Sequence, residues 1–363
     1  MDTTALTPIL VCWYISVLHA TAPAYHATTP KNMSNRPRLD DIDAAKGLGI
    51  VLVVFGHLVA WEGGNYPKGF AWYMVTDQAL YRFHMSFFMF LSGFIFFYTY
   101  NPIRTLHEYR RYAVRKSWRF LPAYLLFGVL MIAGKVIGQR YLHVVSPPGD
   151  FWRGCEEILI RPMTSHASSL WYIYALLVFQ LLSPAALWLS RNRLEPLLGV
   201  ALVLHFLPRT PLFCLDRVCE HAFVFVAGGY AVSHFSVWTA FVDRFRRYTL
   251  ITFIGVLVAS VYSHVPSYPI ALLSIPALHG LCRLPRWRSS YWLLLFGKYT
   301  FVIYLMNTMV IGLEKGLLER FHLWTGLSFV IFGPLLLLSA MFVPIFLKVY
   351  VFPRIPGLDR ITS

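Results

Sequence analysis

Charge is what this sequence lacks. Only 13% of its 363 residues are Asp, Glu, Lys or Arg, about half of the roughly 25% that a soluble protein carries. With 57% hydrophobic residues and a mean hydropathy of +0.56, the surplus apolar surface must face lipid, which excludes a soluble globular class. Cysteine is also sparse. The five, at 13, 155, 214, 219 and 282, show no zinc or redox spacing, so no metal is expected. Cys214 and Cys219 are close enough to pair in an oxidising compartment, but free thiols are the simpler expectation. No internal repeat, low-complexity tract or heptad run is found, which argues against solenoid and coiled-coil architectures.

Basic residues are in excess, with a formal net charge of +15. They sit in short loops between apolar runs, a pattern that sets membrane topology rather than a nucleic-acid footprint. Apolar segments of bilayer-spanning type run near 44–61, 80–100, 120–138, 169–190, 194–207, 221–238, 248–263, 267–282, 291–313 and 326–351. The fifth, seventh and eighth are short for a span. With the amino terminus placed inside, most of the 32 Lys and Arg fall in the inner loops, so both termini are expected to be cytoplasmic. The expected fold is all-α, a polytopic transmembrane bundle of about ten helices. Residues 1–37 would be an amino-terminal extension, 38–351 the transmembrane domain and 352–363 a cytoplasmic tail. Residues 5–24 resemble a signal-peptide core without its positive flank. Met33 opens a natural basic start, so residues 1–32 read as an upstream mis-start or a weakly structured extension. The longer outer loops, 62–79 and 139–168, are rich in Trp, Tyr and acidic residues, a composition that suits carbohydrate as well as interfacial anchoring.

Three stretches carry candidate chemistry. The first, RLDDIDAAKGLGIVLVVFGH, runs from Arg38 to His57. On a helix of about 100° per residue, Lys46 and His57 differ by only about 20° around the axis and by roughly 16 Å along it. Asp43 shares that face. An acid, a cation and a deeper imidazole would therefore line one stripe, and ionisable groups in a bilayer usually face the protein interior or a watery cavity. The alternative is a packed interfacial histidine bonded to a carbonyl. The second stretch, FHMSFFMFLSGF, runs from Phe83 to Phe94 and places His84 near the outer end of the next helix. Ser92 and Gly93 form a small-residue patch where backbones approach closely, a packing role preferred over a nucleophilic one. In the third, Arg111, Arg115 and Arg119 recur every four residues along one helical face. Guanidinium groups there suit phosphate, as in a nucleotide-bearing cofactor, or else lipid headgroups. Further on, Tyr304 and Asn307, three apart, share a face of a late helix.

Together these stretches resemble the acyltransferase 3 family of membrane acyltransferases, over roughly residues 38–351. The most specific part is D-x-A-K-G-x-G-I-x-L-V-V-x-G-H at Asp43 to His57, followed by the Phe83–Phe94 stretch. The nearest branch looks like the sugar O-acetylases similar to fucose 4-O-acetylase, with exopolysaccharide and Nod-factor relatives. The family's basic residue before an essential histidine falls on Lys46 and His57. Many relatives carry histidine where this chain has Asn307, so any role of that position does not transfer simply.

The resemblance implies a multi-pass protein of the bacterial inner membrane that moves an acetyl group from cytoplasmic acetyl-CoA to a hydroxyl of a lipid-linked or exported glycan. The polysaccharide assembly machinery is a further implied partner. His57 would deprotonate the hydroxyl or carry the acyl group as an acyl-imidazole. His84 would orient His57 or bind the acceptor. Lys46, Arg115, Arg119 and Arg111 would hold phosphates of the acyl-CoA. Asp43 would pair with Lys46 or cap the helix, and Tyr304 and Asn307 would support the site. A transporter or flippase using His57 and His84 as a proton relay is the competing class. It is weakened by the lack of repeated hydropathy halves.

Overall fold

The structure is a computed structural model and describes residues 37–60, 71–142, 144, 147–324 and 327–362. Among these residues all regular secondary structure is helical. In chain order the helices are α1 (Asp40–Val59), α2 (Ala71–Tyr81), α3 (His84–Thr99), α4 (Leu106–Gly138) and α5 (Phe151–Ile160). There follow α6 (Trp171–Leu189), α7 (Leu194–Phe206), α8 (Leu215–Ser233) and α9 (Phe235–Tyr262). The last four are α10 (Ser267–Cys282), α11 (Tyr291–Lys298), α12 (Thr300–Arg320) and α13 (Phe329–Phe346), and one-turn pieces fill several connections. Among the described residues, 7 helical stretches are long and apolar enough to cross a bilayer, while Leu194–Phe206 and Ser267–Cys282 are shorter apolar helices. This is an all-α, multi-pass membrane protein.

The chain divides into two compact units. The first takes residues up to 52, 78–101 and 223–298. Here α10 packs between α9 and α3, and backbones approach closely at glycine. A Cβ on Gly93 would collide with the carbonyl of Phe225, and one on Gly228 with the carbonyl of Phe90. The small-residue patch expected around Ser92 is therefore a packing surface. The Ser92 hydroxyl donates to the Phe88 carbonyl of its own helix at 3.1 Å. Aromatics fill the space behind: Phe90 tilts against Trp238, and Phe94 meets Phe235 edge-on.

The second unit takes residues 53–77, 102–222 and 299–363. In it α4 packs against α5, α6 and α12, and α13 lies along α12. Thr105 caps α4 by accepting from the Glu108 amide at 3.2 Å, while the Glu108 carboxylate accepts from the Arg104 amide at 2.8 Å. The helix then runs unbroken through Pro122, so the arginine stripe and the apolar span belong to one rod of 33 residues.

Several expectations are corrected. The outer stretches read as loops contain helices, α2 and α5; Asp150 starts α5 by accepting from the Arg153 amide at 3.0 Å. The basic run Arg244–Arg247, read as a loop between two spans, lies inside α9. The break comes earlier, at His234, where the backbone leaves helical geometry. With no proline or glycine between 235 and 254, nothing stops the helix at the arginines, whose side chains simply extend from its surface. Cys214 and Cys219 are both free thiols. The readings made for residues 1–36, and for the part of the first outer loop up to residue 70, lie outside the described residues.

Candidate active site

The first turn of α1 carries Asp40, Asp41 and Asp43, acids that the positive end of the helix dipole favours. Asp43 is the hub of a small ion-pair group. Its Oδ2 accepts from Arg38 Nε at 2.6 Å and its Oδ1 from Lys46 Nζ at 3.1 Å. Lys46 is thus paired with Asp43, one of the two roles expected for that acid. A phosphate reaching Lys46 would join an ion pair rather than meet a bare cation.

His57 lies in the last turn of the same helix and is half-buried. Because α1 is continuous from Asp40 to Val59, the expected stripe stands, with the imidazole about 16 Å along the axis from Lys46 and about 20° around it. Lys315 on α12 donates to the carbonyl of Ala60 at 3.2 Å, three residues past His57. A cation there complements the negative end of the helix that holds the imidazole. The Lys315 ammonium also lies 5.5 Å from the Trp324 ring centroid. Nothing in its local sequence marks Lys315 as part of this region, because the link spans 255 positions.

His84 opens α3 and is only 1% exposed. Its Nδ1 lies 2.6 Å from the Leu80 carbonyl. A carbonyl only accepts, so Nδ1 carries the proton and Nε2 keeps the lone pair. Tyr81 meets the ring edge-on, with centroids 4.9 Å apart. His84 is held as a packed, oriented histidine within the first unit.

Arg111, Arg115 and Arg119 stand exposed in one row along α4. Arg111 contacts His107 at 2.9 Å, and Arg119 lies over the Phe120 ring at 5.7 Å. Among the described residues none of the three forms an ion pair with a carboxylate. Their donors are therefore available to phosphate oxygens, which guanidinium groups bind two at a time.

On α12, Tyr304 and Asn307 are buried, 3% and 1% exposed. The Tyr304 hydroxyl donates to the Ser169 carbonyl at 2.6 Å, and the Ser169 hydroxyl lies 3.0 Å from that of Thr308. Asn307 donates to the carbonyls of Ile303 and Tyr304 at 3.0 and 2.9 Å, and its buried Oδ1 has no hydrogen-bond partner among the described residues. Tyr304 joins α12 to the start of α6, whereas Asn307 spends its donors on its own helix.

A charge network that no local sequence pattern announces lies in the first unit, with Asp41 and His279 at its buried end. Asp41, 3% exposed, accepts from Arg283 Nη1 at 2.6 Å. The other face of Arg283 forks onto Asp243, Nε to Oδ1 at 2.8 Å and Nη2 to Oδ2 at 2.7 Å. Asp243, with Asp41 behind it, holds the Arg283 guanidinium above its usual pKa. His279 is fully buried. Its Nδ1 accepts from Trp238 Nε1 at 3.0 Å, which puts the proton of the neutral ring on Nε2, 3.5 Å from Asp41 Oδ2. That last contact is electrostatic rather than a formed hydrogen bond, since Nε2 has no hydrogen-bond partner. The network ties the first turn of α1 to α9 and α10 and so fixes the end of the helix from which Lys46 projects. The available clue was the spacing of His279 and Arg283, one helical turn apart and so on one face.

Helices long and apolar enough to cross a bilayer define the class, a multi-pass membrane protein. A family model described as an acyltransferase domain matches residues 39–349, most of the chain. The protein belongs to the acyltransferase 3 family and is a membrane acyltransferase. Comparison with curated proteins and with solved structures finds no significant match.

Proposed function

We propose that this acyltransferase moves an acetyl group from acetyl-CoA to a hydroxyl of a lipid-linked or exported bacterial glycan. It would work in the inner membrane with both termini in the cytoplasm. The observation that supports this most is α1 itself, a continuous helix inside the family match with Lys46 and His57 on one stripe. In this reading His57 accepts the proton of the attacking hydroxyl, the oxygen adds to the thioester carbonyl, and the tetrahedral adduct collapses. The C–S bond breaks, the thiolate takes the proton back from the imidazolium, and ester and free thiol leave. A neutral imidazole suits that task because its pKa lies near the working pH. Transient acylation of the imidazole, with the hydroxyl attacking in a second step, uses the same residue.

Arg115 and Arg119, which have no carboxylate partner among the described residues, would receive CoA phosphates, with Arg111 beside them. Lys46 would join them by sharing Asp43. His84, held by Leu80, would orient the acceptor or the catalytic ring. Tyr304 and Asn307 would support the α12 side of the site. Family membership favours group transfer over the transport alternative.

The test is mass spectrometry of the cell-surface glycan from cells with the gene, without it, and with His57→Ala. Loss of one acetyl mass in both deficient strains supports the reading. Loss of the whole polymer would mean export instead, and an unchanged glycan would exclude glycan acetylation. For the donor, glycan acetylation by Lys46→Ala and Arg115→Ala is measured at rising acetyl-CoA. The Michaelis constant for the donor is expected to rise, and if it is unchanged in both variants the phosphate assignment is wrong.

A further inference from the structure

The second unit contains an apolar cavity of about 560 Å³. Its walls come from Leu126 and Leu130 on α4, Met306 and Met309 on α12, and the stretch 352–361, which contributes Ile355 and Leu358 among others. Every lining side chain is apolar. A sugar, a nucleotide or a peptide would bury hydroxyls or amides here without partners, at a cost that apolar burial alone would not offset. The volume is within the range of small-ligand pockets, and the cavity is open along one side. Leu130 and Ile355 on its rim are 43% and 45% exposed, so it opens at the surface of helices that are themselves of membrane-spanning type.

The stretch that closes one wall is built to lie where it does. After α13 the chain widens into a π-helical turn at Leu347–Val351, narrows to a 3₁₀ turn at Phe352–Arg354, then turns at Gly357, whose φ of 80° is left-handed. Lys348 straps the returning turn. It donates to the Asp359 carbonyl at 2.6 Å, to its carboxylate at 2.8 Å and to the Thr362 hydroxyl at 3.2 Å. Leu358–Ile361 thereby packs against α4. Two arginines, Arg354 and Arg360, alternate with the lining residues of this strap. Both are exposed, and neither pairs with a carboxylate among the described residues. Apolar walls beside unneutralised guanidinium groups match one chemistry, a hydrocarbon chain that ends in an anionic headgroup.

We propose that this cavity binds one acyl chain of an anionic membrane phospholipid, whose phosphate sits against Arg354 and Arg360. The site is independent of how the acyl-transfer centre is assigned. Purified full-length protein is incubated with mixed micelles of phosphatidylglycerol and phosphatidylcholine, and retained lipid is read by native mass spectrometry. The expected result is retention of about one phosphatidylglycerol in preference to phosphatidylcholine. Arg354→Gln with Arg360→Gln is expected to lower that preference by roughly five-fold per arginine. Met309→Trp, which fills the cavity, is expected to abolish retention of both lipids. Leu358→Gln, which alters only the strap, gives the same readout should the tryptophan variant fail to fold. The proposal is overturned if wild type retains no lipid, or retains both lipids equally. It is also overturned if the cavity variants keep phosphatidylglycerol, or if an isoprenoid phosphate added to the micelles displaces it completely.

Discussion

The two units differ in what joins their elements across the chain. The first uses full charges: Asp41 lies almost out of reach of solvent and depends on Arg283, which is itself shared with Asp243. The second has ion pairs too, local ones such as Arg217–Glu220 and Lys348–Asp359, but its helices are joined by neutral hydroxyls that donate to backbone carbonyls. Tyr109 reaches Leu181, Tyr112 reaches Gln180, Tyr124 reaches Ile158 and Tyr304 reaches Ser169. A charge network is specific but fragile, because removing one member leaves an uncompensated buried ion. A set of hydroxyl-to-carbonyl bonds loses about 1 kcal/mol at a time. The unit that includes His57 is therefore the one that tolerates stepwise change, and the unit that anchors the first turn of α1 is the one that resists it.

This contrast can be broken in order of size. His57→Ala should separate chemistry from folding altogether. Acyl transfer should fall by about 10²–10⁴, while yield and membrane insertion, read by gel filtration in detergent, stay at the wild-type level. Arg283→Met should have the largest effect on stability, about 3–5 kcal/mol in detergent unfolding, because it strands Asp41. Adding Asp41→Asn should recover much of that loss, since the uncompensated ion disappears; no recovery would mean that the network is not what holds this unit. Gly93→Val should cost about 1–3 kcal/mol by forcing Phe225 away, the usual penalty for overpacking. Tyr304→Phe should cost only about 1 kcal/mol, the size expected where neutral bonds share the load. A loss as large as that of Arg283→Met would erase the distinction between the units. Ser92→Ala should have the smallest effect on stability and turnover, because its hydroxyl bonds back to its own helix at the Phe88 carbonyl.

How much of this was legible beforehand follows from the range of each interaction. The helical stripe of Asp43, Lys46 and His57 could be read directly, because eleven positions on one helix fix both angle and depth. The close packing at Gly93 was equally visible, since a small residue in an apolar run admits few other uses. The exposed row of Arg111, Arg115 and Arg119 followed from four-residue spacing. The Asp41–Arg283 bond was not readable. It joins residues 242 positions apart, and no local pattern says which of several acids in the first turn turns inward. Helix limits failed where polarity was mistaken for a break. The arginines of α9 and the aromatic run of α2 are both helical, because surface polarity does not end a helix unless the backbone is interrupted. The strap after Val351 read as a simple tail, since its fold depends on Gly357 and on a lysine whose partners come eleven and fourteen residues later.

The carboxamide at position 307 has one more consequence. It gives up no hydrogen and gains none anywhere near neutrality, so position 307 in the core of α12 carries no titrating group. The acidity profile of turnover in this protein should therefore trace its remaining rings, without a third inflection from that helix.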